Sequence, residues 1–206
     1  MKLGLISDIH GDPVALELAW SYLTVMGADR IVCAGDLVGY GPFPDRVVSF
    51  LQERLIASVR GNHDRWALER GPGVRDEFGG GLPGSGTLEY LKTLTFDLVL
   101  AAHPVVVTVV HGSPRSDMEF VNRQSHPPDV LRDYLVELDC DLLVVGHTHR
   151  PMWFRSPDGL VVNPGSAVSI HGVDSSRTFA MVDLDALEVT FHDVESGGVV
   201  EVAMWQ

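Results

Sequence analysis

Lys2-Leu3-Gly4-Leu5-Ile6-Ser7-Asp8-Ile9-His10-Gly11-Asp12-Pro13 is the stretch on which the fold of this chain turns. Its apolar run over residues 2–7 predicts a buried strand. Asp12 before Pro13 predicts a helix start, with a capping carboxylate and then a proline at the first helical position. Ala15, Leu18, Tyr22 and Met26 follow at helical spacing, and Gly27 can stop the helix. Between strand and helix stand Asp8 and His10, next to a glycine that lets the backbone turn sharply.

The unit recurs downstream. Residues 30–34 predict a strand ending in Gly35-Asp36, followed by a Gly/Pro-rich loop to Pro44 and a helix over 45–53. Residues 55–59 predict a third strand, ending in Gly61-Asn62-His63-Asp64. Strand, polar tip and helix in succession make an α/β sheet with helices packed on it. Residues 71–86 carry Gly71, Gly73, Gly79, Gly80, Gly81, Gly84 and Gly86 and read as irregular, either a mobile lid or a linker. A helix over 87–94, β-rich runs over 97–101 and 104–110, a helix over 127–138 and a strand over 142–145 come next. The second β-rich run ends in His111-Gly112, and the last strand in Gly146-His147-Thr148-His149. Runs at 152–155, 160–163, 178–184, 187–194 and 198–203 are short and β-rich, as expected of antiparallel strands that finish a second sheet.

Bulk properties narrow the function. A chain of 206 residues, 45% hydrophobic and 21% charged, suits one domain spanning 1–206 with a sizeable core. The 28 acidic residues against 15 basic give a net charge of −13, which disfavours tight binding to duplex nucleic acid. Any acids that ligate cations would be neutralised locally. The N-terminus has no signal-peptide pattern and no apolar run is long enough for a membrane span, so a cytoplasmic protein is expected. Cys33 and Cys140 are then expected to be reduced thiols.

Asp8, His10, Asp36, Asn62, His63, His111, His147 and His149 all fall just after apolar runs and close to glycines. Strand ends on one edge of a sheet converge, so residues distant in sequence can share a site. Carboxylate, imidazole and amide oxygen together suit a transition metal of intermediate softness. Asp8/His10 and His147/His149 are each two apart, and in extended backbone such residues point the same way. Each pair could thus face one cluster. Taken singly, Asp-Xaa-His, Gly-Asp and Asn-His-Asp are equally at home as caps and turns. The metal reading rests on the set in this order.

Asp8-Ile-His10, Gly35-Asp36, Gly61-Asn62-His63-Asp64, His111-Gly112 and Gly146-His147-Thr148-His149 resemble the five blocks of the calcineurin-like metallophosphoesterase superfamily. Asn163-Pro164-Gly165-Ser166 further resembles its small YfcE-like phosphodiesterases. The resemblance implies two mixed β-sheets packed as a sandwich flanked by helices. It implies two divalent metal ions, Mn²⁺, Fe or Zn²⁺, with Co²⁺ or Ni²⁺ able to substitute in vitro. Asp8, His10 and His149 would hold one, Asn62, His111 and His147 the other, and Asp36 would bridge them. His63 would act in catalysis beside the cluster, and Asp64 would orient it. The implied reaction is hydrolysis of a small phosphodiester or nucleotide by a metal-bridging hydroxide. A phosphomonoesterase or protein phosphatase, a dinucleoside-polyphosphate hydrolase, and a non-catalytic scaffold like the retromer subunit remain the rival readings.

Other residues carry weaker expectations. Tyr40 and Phe43 could wall the site with apolar rings or simply pack the loop after Asp36. Arg65 and Arg75 could reach substrate, although exposure is their default. His103, His126 and His192 read as structural or surface residues. His171 reads first as structural, with contact to the site as the alternative, at a place where small relatives often carry Pro-Arg.

Overall fold

A computed structural model describes residues 1–75, 78–102, 104–122, 124–169 and 177–205. Its strands are β1 (Lys2–Ile6), β2 (Arg30–Cys33), β3 (Ala57–Ser58), β4 (Asp97–Ala102), β5 (Val105–Val110), β6 (Leu142–Val144), β7 (Met152–Ser156), β8 (Gly159–Asn163), β9 (Thr178–Asp183), β10 (Glu188–Asp193) and β11 (Val199–Val200). The helices are α1 (Pro13–Val25), α2 (Pro44–Glu53), α3 (Asn62–Arg70), α4 (Ser85–Thr93) and α5 (Pro128–Glu137). One sheet runs β11-β10-β9-β1-β2-β3 and the other β4-β5-β6-β8-β7. Strands β1, β2 and β3 are mutually parallel, as are β5, β6 and β8, and antiparallel strands complete both mixed sheets.

Period-two alternation builds the layers. Leu3 and Leu5 of β1 share a buried cluster with Val107, Val109, Leu142, Val144, Leu160 and Val162 of the other sheet. The two sheets therefore pack face to face. On the opposite face of the first sheet, Ile6, Cys33, Phe179 and Met181 join Leu16, Leu23, Val47, Leu51 and Leu91 from helices α1, α2 and α4. Behind the second sheet, Leu143 and Val161 meet Leu131, Tyr134 and Leu135 of α5. Burying each such leucine or valine contributes about 1.5–3 kcal/mol. At Gly4 an added Cβ would lie 2.9 Å from Leu23 Cδ1, so the missing side chain lets α1 lie close on β1.

Asp12 caps α1, accepting from Val14 N and Ala15 N, with Pro13 at the first position as expected. Two strands are shorter than expected. Leu55 has φ +54° and closes the turn after α2, which postpones β3 to Ala57. The C-terminal run leaves its sheet after Val200, because Trp153 of β7 takes over its hydrogen bonds. Trp153 Nε1 donates to Val202 O at 2.8 Å, and Trp205 N donates to Trp153 O at 2.8 Å. Among the described residues, no helix is long and apolar enough to cross a membrane.

Part of the glycine-rich stretch, from Gly80 to Gly84, lies on the loop after Asp36 and the start of α2. Gly81 N donates to Gly41 O at 2.9 Å, and Gly84 N to Asp45 Oδ1 at 2.8 Å. His126 corrects the surface reading: it is 2% exposed, with Nδ1 2.8 Å from Ser125 Oγ and Nε2 3.5 Å from Glu119. His192 is structural, lying between Gly197 O and Thr190 Oγ1. His103 and His171 lie outside the described residues.

Candidate metal centre

The polar residues singled out in the sequence stand where the C-terminal ends of the two parallel strand sets meet. Asp8 and His10 follow β1, Asp36 follows β2, Asn62 and His63 open α3, His111 follows β5, and His147 and His149 follow β6. Three groups of donor atoms lie within 4.8 Å of one another: Asp8, His10 and His149; His10, Asp36 and His63; Asp36, His111 and His147. Asn62 joins the last group through its Oδ1, 3.0 Å from His111 Nε2. The Asp36 carboxylate stands between the two sides: Oδ2 is 3.2 Å from His111 Nε2 and 3.8 Å from His10 Nε2.

The backbone explains how residues two apart reach these places, and it differs from the extended reading. Asp8, His10, Asp36, His147 and His149 have φ of 53°, 46°, 53°, 67° and 58°, in the left-handed region that costs a side chain energy. Strain of this kind persists only where surrounding structure enforces it. His149 enters the donor group of Asp8 and His10, and His147 that of Asp36 and His111.

Enforcement comes from hydrogen bonds. Asp8 Oδ2 accepts from Ser7 Oγ at 2.6 Å and from His147 N at 3.1 Å, leaving Oδ1 toward His149 Nε2 at 3.2 Å. Asn163 Nδ2 donates to Gly146 O at 2.7 Å, and its Oδ1 accepts from Gly165 N at 2.9 Å. Ser166 Oγ donates to Asp8 O at 2.9 Å. The Asn163-Pro164-Gly165-Ser166 turn thus pins the two loops carrying Asp8 and His147. On the other side, the N-terminus of α3 donates His63 N to Asp36 Oδ1 at 2.8 Å, a carboxylate seated where the helix dipole favours it. Gly61 is required here, since an added Cβ would lie 2.5 Å from Asp36 N.

Asp64 accepts hydrogen bonds from three backbone amides. Its Oδ1 accepts from Leu37 N at 2.9 Å and Val38 N at 3.1 Å, and its Oδ2 from Gly61 N at 2.9 Å. These bonds hold the start of α3 against the loop after Asp36. Its placement fits that of a positioning residue acting through the backbone.

Burial and charge set the protonation states. Burial holds His10 down to about 4, against the pull of Asp36 and Asp8. For His111 burial also opposes the charge, but the charge and hydrogen bond of Asp36 outweigh it and raise the imidazole to about 10. Burial would raise both Asp8 and Asp36. His149 instead draws Asp8 down, and His111 holds Asp36 well below the usual carboxylate range. Burial lowers His147, with His111 adding to the effect. Burial and the Asp36 charge push Asp64 up to about 7, against its amide donors. Without a cation, a protonated His111 supplies the positive charge among these carboxylates.

The donor set fits divalent ions. His10 Nδ1 lies 3.2 Å from Val38 O and His111 Nδ1 2.7 Å from Ala34 O. A proton on each Nδ1, donated to a backbone carbonyl, leaves Nε2 as the ligand atom and fixes the ring, as is usual for metal-bound histidine. Asp8 Oδ1 and His147 Nε2 are buried with no hydrogen bond among the described residues, and a cation would satisfy both.

The cluster opens into a cleft of about 1020 Å³ lined by Asp36, Asn62, His63, His147 and His149 together with aromatic rings. Tyr40 lines it, 4.8 Å from the His63 ring centre. Phe43 does not, being half-exposed beneath the Arg46 guanidinium. Arg65 is held by Asp117 at 2.7 Å and Glu69 at 2.9 Å, and Arg75 is exposed away from the cleft. Sequence reading missed Trp66, Phe78, Phe120 and Arg150, all lining the cleft. Helical spacing could have found Trp66, one turn beyond Asn62 on α3. Phe78 and Phe120 come from irregular segments and carry no comparable signal.

Two stacked mixed sheets with this cluster at their strand ends are the fold of a metallophosphoesterase. The metallophosphoesterase of Sphaerobacter thermophilus superposes with a TM-score of 0.74 at 29% identity, covering 95% of this chain and 88% of that one. Phosphodiesterase YfcE of Escherichia coli K12 is 26% identical over 200 residues, 92% of this chain and 91% of its own length. Vacuolar protein sorting 29 of Cryptosporidium parvum shares the fold alone, with a TM-score of 0.60 at 20% identity over 97% of this chain and 94% of that one. This chain belongs to the calcineurin-like phosphoesterase superfamily, whose domain profile matches residues 1–187.

Proposed function

We propose that the chain is a dinuclear metal-dependent phosphodiesterase acting on small organic phosphodiesters or nucleotides. The observation that carries this reading is the position of Asp36, whose carboxylate reaches His10 on one side and His111 on the other. Asp8, His10 and His149 would hold one ion, and Asn62, His111 and His147 the other, with Asp36 shared. Ligand types leave Mn²⁺, Fe and Zn²⁺ as candidates. When bound, the two ions would polarise the phosphoryl oxygens and supply an activated water.

The chain's own residues do the rest. His63 lines the cleft with its ring centre 4.9 Å from that of His10, placing an imidazole beside the developing charge. It would donate a proton to the departing oxygen or steady the phosphoryl oxygens. Asp64 and the amide of His63 would hold that imidazole and Asp36 in register. Arg150 lines the cleft next to His149, is exposed, and has no ion pair among the described residues, so it is placed to meet a further anionic group. Both thiols are free and buried, which fits a reducing, cytoplasmic setting.

The test is hydrolysis by the Mn²⁺-reconstituted protein, comparing bis(p-nitrophenyl) phosphate with p-nitrophenyl phosphate. Faster cleavage of the diester, abolished by chelation and restored by Mn²⁺, is expected. Faster cleavage of the monoester would shift the assignment to a phosphatase. Two bound metals without hydrolysis of a broad panel would favour a scaffold.

A further inference from the structure

The rings beside the metal centre form an organised wall. Phe78 lies 5.1 Å from Tyr40, 5.3 Å from His63 and 6.3 Å from Trp66, ring centre to ring centre. Trp66 and Phe78 stack loosely, with 28° between their planes. Across the donor cluster, Phe120 tilts over His147 at 4.2 Å. Phe78 and Phe120 are 45% and 53% exposed, large apolar surfaces turned to solvent at the mouth of a polar site. Exposed apolar rings at the mouth of a polar cleft are a surface that a ligand can cover.

Charge and shape together select the ligand. The floor of the cleft is a donor set suited to cations and thus to a phosphate. Beside it the aromatic rings of Trp66, Phe78 and Phe120 line the cleft. A cleft of about 1020 Å³ stands at the upper end of small-molecule sites, with room for more than a bare phosphate or a short alkyl ester. We infer that Trp66 and Phe78 form a subsite for a planar aromatic group, a nucleobase or aryl ring, attached to the phosphate that the metal centre receives. Phe120 closes the opposite side of the same cleft. Stacking of this kind tolerates any base, because every base offers a π-face. The inference rests on the metal-centre reading for the phosphate, and on the rings alone for the planar group.

Binding tests it without turnover. AMP and ribose 5-phosphate share the phosphate and the ribose and differ only in the base. Their affinities for the Mn²⁺-loaded protein are measured by calorimetry, for the wild type and for Phe78→Ala, Phe78→Leu and Trp66→Ala. Wild type is expected to bind AMP about tenfold more tightly, a ratio that falls toward unity in Phe78→Ala and Trp66→Ala. Phe78→Leu, which keeps apolar area and removes the ring, is expected to lose most of the ratio as well. Equal affinity for the two ligands in wild type overturns the inference, as does a ratio unmoved by all three substitutions. Diester hydrolysis without an AMP preference overturns the subsite and leaves the phosphodiesterase reading standing. An AMP preference lost on substitution, in a protein that hydrolyses no diester, supports the subsite and defeats that reading.

Discussion

The amide of His63 donates to Asp36 Oδ1 at 2.8 Å, so the carboxylate between the two donor groups is seated on the helix that carries the proposed acid. The other oxygen, Oδ2, is left facing His10 and His111. Replacing Asp36 by Ala removes the carboxylate that reaches His10 on one side and His111 on the other. Metal analysis of the folded variant is expected to give fewer than two ions per chain, with hydrolysis lost. Retention of both ions would show that Asp36 does not bridge.

His63 is assigned to chemistry and not to metal holding. His63→Ala is expected to keep its metal content and its fold while hydrolysis slows by about 10²–10⁴-fold. Full activity in a folded variant would remove His63 from the reaction.

Protonation links His111 to metal loading. Asp36 keeps His111 protonated up to about pH 10 in the ion-free chain, whereas a ligand must present its Nε2 lone pair. Its folded value lies above the ordinary one, so the proton is held throughout the neutral range and must leave on loading. Adding Mn²⁺ to ion-free protein in dilute buffer at pH 7 is therefore expected to release roughly one proton per chain from this group, and apparent affinity is expected to rise with pH. A titration with no proton release would rule this out.

Asp64 separates positioning from chemistry. Its three amide partners, Leu37, Val38 and Gly61, would be left buried in Asp64→Ala. Thermal unfolding should show a loss of about 1–3 kcal/mol, with weaker metal binding as the loops loosen. Slowed hydrolysis with unchanged stability and metal affinity would instead point to a direct hold on the His63 ring.

Asn163 is fully buried and bonds both Gly146 O and Gly165 N. Asn163→Ala strands both, and about 1–3 kcal/mol of stability should go with them, read as a Tm lower by about 3–10 °C. An unchanged Tm would mean that the turn is held without this side chain.

Much of this protein was legible in its sequence, for reasons that particular residues make plain. Asp12-Pro13 marks the start of α1 because capping and proline geometry are local. Alternation through Leu3, Leu5 and Ile6 marks a strand buried on both faces, because its neighbours in the sheet are themselves covered. The donors are visible because metal chemistry needs rare residue types at strand ends. What sequence could not supply was direction. Asp8/His10 and His147/His149 read as extended pairs, yet all four residues have left-handed backbone. Asp64 read as a partner for His63, yet its described hydrogen bonds run to amides contributed by three loop positions. His126 read as surface, yet Ser125 and Glu119 give it a buried place. Phe78 and Phe120, in segments without periodicity, come to line one cleft only when the chain folds. Local propensity and residue chemistry act within a few positions of the chain. Backbone strain, long-range hydrogen bonds and the meeting of two sheets belong to the tertiary structure, and those decided which side chains face one another.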